Sequence, residues 1–479
     1  MRQNETLNFG KFRDDLLPLA KDLTAEFRYT ADDVLRIIQS DDYARIREVS
    51  NYFYTVSGIY KRIVWLFSSM FNFDNLIIPH MYGKSVPENK LIKDFQQAMS
   101  FIDSLNLKQL LKDVTFFVFK EGAYYGYLRD DHKEPTIQQL PINYCRSKYK
   151  TGGRNVVEFN LTYFDREYLT TEDRQQALKM FPKELRAFYK KYKLGTLNVG
   201  KMEREWVLLD VDRAICLKFP DAKPFFIGAI IDLIELREYK RIEMERDKLA
   251  LFLLLIQKIP MTKEGEMVFD VTEAKELHKN ALKMLEKNEN VDVLTTFADM
   301  ELLNLQESRQ VMRDNLQKAE RGVFNETGVS RMLFATEGNI SLEKAIRSNE
   351  AIVRYLTELY SVWLTHITNL IVKPGSKYSF EVWLPPITIF NEKEMADKYI
   401  KQATLGYSKL LPGIVGGLKQ SSLLNLLTFE NQMLSLNDVM IPLKSTHTQS
   451  DDSDEDGGRP PKDPEEKTEE TIDKEEGQE

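Results

Sequence analysis

Only two cysteines, Cys145 and Cys216, occur in 479 residues, and they lack the close spacing of a metal-binding pair. A disulfide framework is not expected, and a reducing compartment is implied. Long apolar runs are missing as well. The longest, Leu249–Ile256, falls far short of the ~18–20 residues that a membrane span requires, so no membrane partner is expected. Met1–Gly10 is polar and supplies no apolar core for a signal peptide, and the Asn-x-Thr sequons at Asn4, Asn160 and Asn325 therefore read as chance. There is no phosphate-binding Gly-rich loop with Lys and Ser/Thr, no His-Glu-x-x-His and no Gly-x-Ser-x-Gly. The chain is not expected to hydrolyse ATP, to act as an enzyme, or to carry a cofactor or metal.

What is present is charge, unevenly placed. The net charge of −8 conceals a carboxy-terminal stretch, Asp451–Glu479, with 14 acidic and 4 basic residues, which leaves the preceding body near +2. That stretch has one apolar side chain, Ile472, and the helix-breaking run Gly457-Gly-Arg-Pro-Pro461. It is expected to be a disordered acidic tail that solubilises the chain; the alternative is that its charge repels DNA or docks a partner. With 42% hydrophobic and 29% charged residues the rest is long enough for several packed units, since a single core rarely grows beyond ~250–300 residues.

Helical and strand patterns are both present, and the expected class is α+β. Glu48–Phe71 places Tyr52, Val56, Ile59, Ile63 and Leu66 at helical spacing, a stripe that reads as core. Leu107–Glu121 reads as a buried helix, and Ala123–Leu128, Thr136–Leu140, Val156–Tyr163 and Trp206–Phe219 read as strands. Lys150-Thr-Gly152-Gly153-Arg154 is a hairpin turn, and Thr171–Tyr192 reads as a basic surface helix.

Phe225–Ile256 and Glu307–Val323 are long, charge-dense helical patterns that bracket a compact insertion. The first opens with Ile227, Ile230, Ile231 and Ile234 on one face. Its stripe then dissolves into charge. From Glu235 to Lys248 the acid-before-base pairs Glu238/Arg241, Glu243/Arg246 and Glu245/Lys248 each contribute only ~0.2–0.5 kcal/mol. A helix of roughly 30 residues spans ~45 Å, more than one small core covers, so it needs neighbours. The insertion Ile259–Gln306 reads as strand, helix, strand: a turn at Lys263-Glu-Gly265-Glu, a helix Val271–Glu286 with Ala274, Leu277, Ala281 and Leu285 on one face, and a β-branched strand Val291–Thr296. Asn325-Glu-Thr-Gly328-Val-Ser330 is a turn, Leu333-Phe-Ala-Thr-Glu-Gly338-Asn a short loop, and Ser341 opens a helix to about Val372. Its apolar face is Leu342, Ile346, Val353, Leu356, Tyr360, Trp363, Ile367 and Leu370.

The order of these parts resembles the portal proteins of tailed double-stranded DNA bacteriophages. The resemblance rests on Trp206-Val-Leu-Leu-Asp before a strand, Pro224 followed by the Ile-rich helix and Glu238-Tyr239-Lys240, the tip insertion, Thr327-Gly-Val-Ser330 with Leu333-Phe334, and the Ser341–Leu370 helix with Trp363. It covers most of Asn51–Leu443, and no single motif in it is specific. Gly457-Gly-Arg-Pro followed by charge also resembles the tails of several portal proteins.

The resemblance implies a portal fold with an α/β wing over residues 1–224, a first stem helix over 225–258, a clip over 259–306 and a second stem helix over 307–324. A tunnel loop and tunnel-side helix would follow over 325–375, then a wing return strand and crown helices over 376–450, and the tail over 451–479. It further implies a homo-oligomeric ring, usually of twelve subunits, at one capsid vertex. Double-stranded DNA would pass through it without sequence recognition during packaging and ejection. The implied partners are the terminase large subunit, the major capsid and scaffolding proteins, and a head–tail adaptor. The implied location is the virion, with the host cytoplasm during assembly.

By the same resemblance the loop facing DNA is about Met332–Asn339, with Met332, Phe334, Thr336, Glu337 and Asn339 as its contact residues. The stem channel and subunit interface would include Glu235, Glu238, Arg241, Glu245 and Lys248, and the partner-binding face of the clip Glu273, Glu276 and Lys279. A conduit must let DNA slide, and a mixed-sign stem meets that need better than a dense Lys/Arg groove, which would hold phosphates in a salt-dependent grip.

Two other classes fit parts of the pattern. A coiled-coil adaptor or scaffold-type interaction protein would use the tip module as its head and form a dimer or trimer. A DNA-processing enzyme would use Asp210, Asp212 and His132 with a metal. Clustered Asp at Asp130-Asp131-His132 more often caps or solvates a turn, and Asp210-Val-Asp212 stands at a strand end. His80, His278, His366 and His447 are scattered singly.

Overall fold

The computed structural model describes residues 28–82, 86–130, 135–197, 203–251, 253–258, 272–273, 275–276, 279, 291–296, 318–324, 327 and 349–436. The fold is α+β. It divides into two units, residues 1–421 and residues 422–479.

The first unit begins with helices α1 (Ala31–Gln39), α2 (Tyr43–Val56) and α3 (Gly58–Ser69). Thr30 and Asp33 form a reciprocal capping box at the start of α1. The single helix expected over Glu48–Phe71 is in fact two. Ser57 is extended at φ −105°, ψ 110°, and its hydroxyl accepts from Tyr60 N, so it ends α2 and caps α3. Ile63 is fully buried as its spacing requires, whereas Val56, at the break, and Trp65 are exposed.

Strand β1 (Leu76–Met81) follows, then α4 (Glu88–Ser104) and α5 (Leu107–Glu121). Gly122 ends α5 in the left-handed region at φ +86°, donating to Val118 O. A Cβ there would lie 2.4 Å from the Lys223 carbonyl carbon, so glycine serves both the turn and the close chain crossing. Gly122→Ala is expected to cost more than the ~1 kcal/mol of an ordinary helix-end glycine, read as a lowered urea midpoint; an unchanged midpoint would mean the crossing relaxes freely.

Next come β2 (Ala123–Arg129), β3 (Thr136–Gln139), β4 (Cys145–Arg146), the hairpin β5 (Lys150–Thr151) and β6 (Arg154–Asn155), and β7 (Glu158–Asn160). Gly152 and Gly153, at φ +56° and +78°, make the expected hairpin turn. Helices α6 (Tyr163–Arg166), α7 (Thr171–Met180) and α8 (Lys183–Lys193) replace the second half of the strand expected at Val156–Tyr163 and the single helix expected over Thr171–Tyr192. Pro182 is the physical reason for the second break: it disfavours helical backbone at Phe181 and starts α8 afresh. Trp206–Phe219 likewise divides into β8 (Trp206–Leu208) and β9 (Ala214–Lys218), in different sheets.

The three-stranded sheet β3-β2-β9 separates two apolar clusters. Tyr124 and Leu128 of β2, with Ile215 and Leu217 of β9, face the helical core of α1–α5. Ala123, Tyr125, Tyr127 and Cys216 face a second core with Phe159, Phe164 and Leu185. Burial on both faces explains why Ala-Tyr-Tyr-Gly-Tyr-Leu carries no polar alternation. Cys145 and Cys216 are both free and buried.

After β9 come the long helix α9 (Ala229–Leu251), β10 (Leu253–Lys258) and β11 (Val291–Thr296). Helix α10 (Glu350–Val372) then buries Val353, Leu356, Tyr360, Trp363 and Ile367, as its periodicity predicts. The described helix starts after Asn349; residues 341–348, assigned to it from sequence, lie outside the described residues. Strand β12 (Tyr378–Trp383) pairs antiparallel with β1, Leu76 opposite Trp383. Polar side chains of α10 cap the other edge of β12: Ser361, Thr365 and Asn369 accept from the backbone of Leu384, Val382 and Phe380. Spacing of four puts all three on one helix face, so the exposed strand edge is satisfied by a helix instead of a further strand.

Helices α11 (Glu392–Thr404) and α12 (Leu411–Val415) pack around Ile387, Tyr399 and Val415. Helix α13 (Gln420–Thr428) begins with Gln420, whose amide bonds both backbone groups of Ile77. In the second unit, described to residue 436, the chain continues through a π turn at Phe429–Met433.

Candidate functional site

Helix α9 is rooted in an aromatic cluster. Phe225 and Phe226 precede it, and Phe226 stacks on Phe119 with centroids 5.8 Å apart and meets Phe67 edge-on at 4.9 Å. Ile230, Leu233, Ile234 and Leu236 are buried, each contributing roughly 1.5–3 kcal/mol of burial. Beyond Leu236 the helix leaves the core. Glu235, Glu238 and Glu245 are exposed, Arg241 is half-buried, and the side chain of Lys248 lies outside the described residues. Arg241 pairs with Glu245 at 3.8 Å. Lys240 pairs with Glu320 at 3.4 Å, and the helical residues 318–324 lie alongside with Val323 buried.

Three large apolar side chains ride on this charged section: Tyr239, Ile242 and Met244, 42%, 41% and 51% exposed. At 100° per residue Ile242 and Met244 stand about 200° apart, on opposite flanks of the helix. Helix then gives way to strand. The sequence assigns α9 through Ile256, but the helix ends at Leu251 and Leu253–Lys258 pairs parallel with Val291–Thr296. A Leu-rich run bounded by charge fits a helix and a buried strand equally well, and length alone did not separate them. Val291–Thr296 is a strand as expected. Parallel pairing demands a long crossover, which residues 259–290 supply, and positions 272, 273, 275, 276 and 279 within it are helical and exposed. These include Glu273, Glu276 and Lys279. Met332, Phe334, Thr336, Glu337 and Asn339 lie outside the described residues, as does the acidic tail.

The acidic residues considered for metal chemistry are otherwise engaged. Arg213 clamps Asp130, donating from Nη2 at 2.7 Å, and its Nε lies 3.5 Å from Asp210. Arg154 donates to Asp212 at 2.9 Å. Carboxylates paired with guanidinium are poor ligands for a cation. Among the described residues no group of His, Cys, Asp and Glu is arranged to hold a metal; Asp131 and His132 lie outside them.

Arg154 also donates to Nε2 of His366, docking the β5–β6 hairpin onto α10. Nε2 also lies 3.2 Å from the Asp212 carbonyl oxygen. Burial, and then Arg154, lower the His366 pKa below 6.5. The folded state therefore binds fewer protons than the unfolded one. Its contribution to stability is complete above about pH 6.5 and is lost as pH falls through the depressed value. Wild type is expected to lose more stability than His366→Gln between about pH 7.5 and 5.5, measured by urea unfolding; equal losses would remove His366 from the acid response.

A cleft of about 760 Å³ lies between α3, α10, the chain after β12, and α11. Its apolar lining includes Leu66, Val362, Trp383 and Met395, and Glu350, Glu358, Glu381 and Glu394 line it against only Arg354 and Lys398. Glu350 pairs with Arg354 and Glu381 with His80. Glu358 and Glu394 are exposed and form no ion pair among the described residues. Nothing in the sequence pointed to this cleft, because its walls come from residues over 300 positions apart.

Among the described residues no helix is long and apolar enough to cross a membrane. No protein-family model matches the chain, and no curated protein matches it by sequence.

Proposed function

We propose that this chain is the subunit of a portal ring, the head-to-tail connector through which double-stranded DNA enters and leaves a phage capsid. The observation that carries this reading is the pair of opposite apolar flanks on α9. Ile242 and Met244 point to two different sides of a helix already anchored at its base. A helix in a closed ring has a neighbour on each side, so both flanks become covered. A coiled-coil adaptor would instead concentrate such residues on one seam at 3.5-residue spacing, and Met244, two residues beyond Ile242, falls off the seam that Tyr239 and Ile242 would share.

The parallel strand pair beyond α9 supports a separate tip module carried away from the core, suited to docking a packaging motor and then a tail adaptor. The mixed charge of Glu235 to Glu245 supports a wall that does not grip phosphate. In this reading the protein is a passive conduit, and the chemistry belongs to its partners.

Negative-stain images of the purified chain, with sedimentation velocity across salt and concentration, test the proposal. Rings with a central hole are expected. Monomers or dimers alone, with no rings in particle extracts, would overturn it in favour of an adaptor.

A further inference from the structure

The acidic cleft has a counterpart on the same chain. In α8, Lys183, Ala187, Lys190 and Leu194 recur at helical spacing and are all exposed, with Lys191 beside them. The opposite face, Leu185 and Tyr189, is buried in the second core. Lys183, Lys190 and Lys191 meet no carboxylate among the described residues, whereas Lys193 is taken by Asp165 at 2.7 Å. Leu194, at the carboxy-terminal end of α8, is 67% exposed. One surface therefore combines free ammonium groups with apolar side chains, and the cleft combines free carboxylates with an apolar lining.

The two surfaces are built from different residues, so a contact between them is heterologous: the cleft of one copy receives α8 of the next. Repetition of such a contact closes a ring or propagates a filament. We infer that α8 of one subunit docks on the Glu358–Glu394 cleft of its neighbour, Lys190 and Lys191 facing the two free carboxylates and Leu194 entering above Val362 and Trp383. This inference rests on the ring reading above and assigns it a specific subunit contact.

Charge exchange tests it on the full-length chain. Glu358→Lys with Glu394→Lys, and separately Lys190→Glu with Lys191→Glu, place like charges across the contact. Each is expected to raise the protein concentration needed for rings by about tenfold or more, read by sedimentation velocity and negative stain. All four substitutions in one chain should restore rings. An equimolar mixture of the two double variants should do so too, because each defective surface then meets its complement on the other chain.

Glu394→Cys with Lys190→Cys should yield a ladder of covalent multimers on oxidation, a readout that does not depend on the charge variants folding. Wild-type rings with unaffected double variants, no restoration in the fourfold chain, or no ladder would overturn this contact and leave the ring reading standing. Double variants that keep their rings but fail in particle assembly would give the cleft to a different protein. A wild type without rings would instead remove the ring reading itself.

Discussion

Arg146→Ala is expected to destabilise the first unit by about 3–5 kcal/mol, the usual consequence of stranding one partner of a buried ion pair. Glu158 sits in β7 with its side chain 1% exposed, and Arg146 Nε donates to its Oε2. The other Glu158 oxygen has no hydrogen-bond partner. Arg146 also lies over the Trp206 ring at 3.8 Å and reaches Glu203 at 3.1 Å. Removing it uncovers a carboxylate the fold cannot hydrate and strips a face of the indole. The double change Arg146→Met with Glu158→Leu removes both charges and is expected to recover most of the loss. Thermal and urea unfolding of the three proteins decide the matter. A small effect of the single change, comparable to that of an exposed pair, would show that water reaches Glu158.

Tyr360→Ala should cost a similar ~3–5 kcal/mol, for a different reason. Tyr360 is fully buried at the centre of α10, near Phe73, and its hydroxyl meets Thr115 Oγ1 of α5 at 3.1 Å. Burial keeps the phenol protonated by pushing its pKa upward. Truncation opens a cavity where three elements meet and close packing leaves little able to collapse into it. Tyr360→Phe preserves the volume and loses only the hydroxyl contact, worth about 1 kcal/mol. Unfolding midpoints ordered wild type, Phe, Ala with a wide second gap are the expected result; Phe as damaging as Ala would place the stability in the hydroxyl network instead of the packing.

Long periodic segments were legible in the sequence. Val353, Leu356, Tyr360, Trp363 and Ile367 are buried as their spacing requires, and α5 occupies Leu107–Glu121 without a residue's difference. Interruptions were harder. Ser57 ends a helix inside an apolar period, and Phe181-Pro182 divides the basic surface helix expected over Thr171–Tyr192; there local capping and φ restriction outweigh the wider pattern. The change from helix to strand near Leu251 was hidden because Leu-rich runs satisfy either period. Of the site, the exposed charge on α9 was readable, whereas its two apolar flanks became visible only once burial separated Leu236 from Tyr239, Ile242 and Met244. The basic face of α8 was readable as part of the basic surface helix expected over Thr171–Tyr192, whereas the cleft was not, since pairing Glu358 with Glu394 requires tertiary structure.

The pairing of β1 with β12 also sets an order of events. Leu76 finds Trp383, and Ile77 finds Gln420, only after some 300 further residues exist. At a synthesis rate of about 5–20 residues per second the first strand waits roughly 15–60 s for its partner. Through that interval the β1 edge and the apolar side chains that α10 will cover have no native mate, while α1 to α5 can already condense among themselves. Folding is thus divided into an early helical collapse and a late closure across the length of the chain. That long interval, more than the stability of the finished subunit, is where aggregation competes with production of the protein.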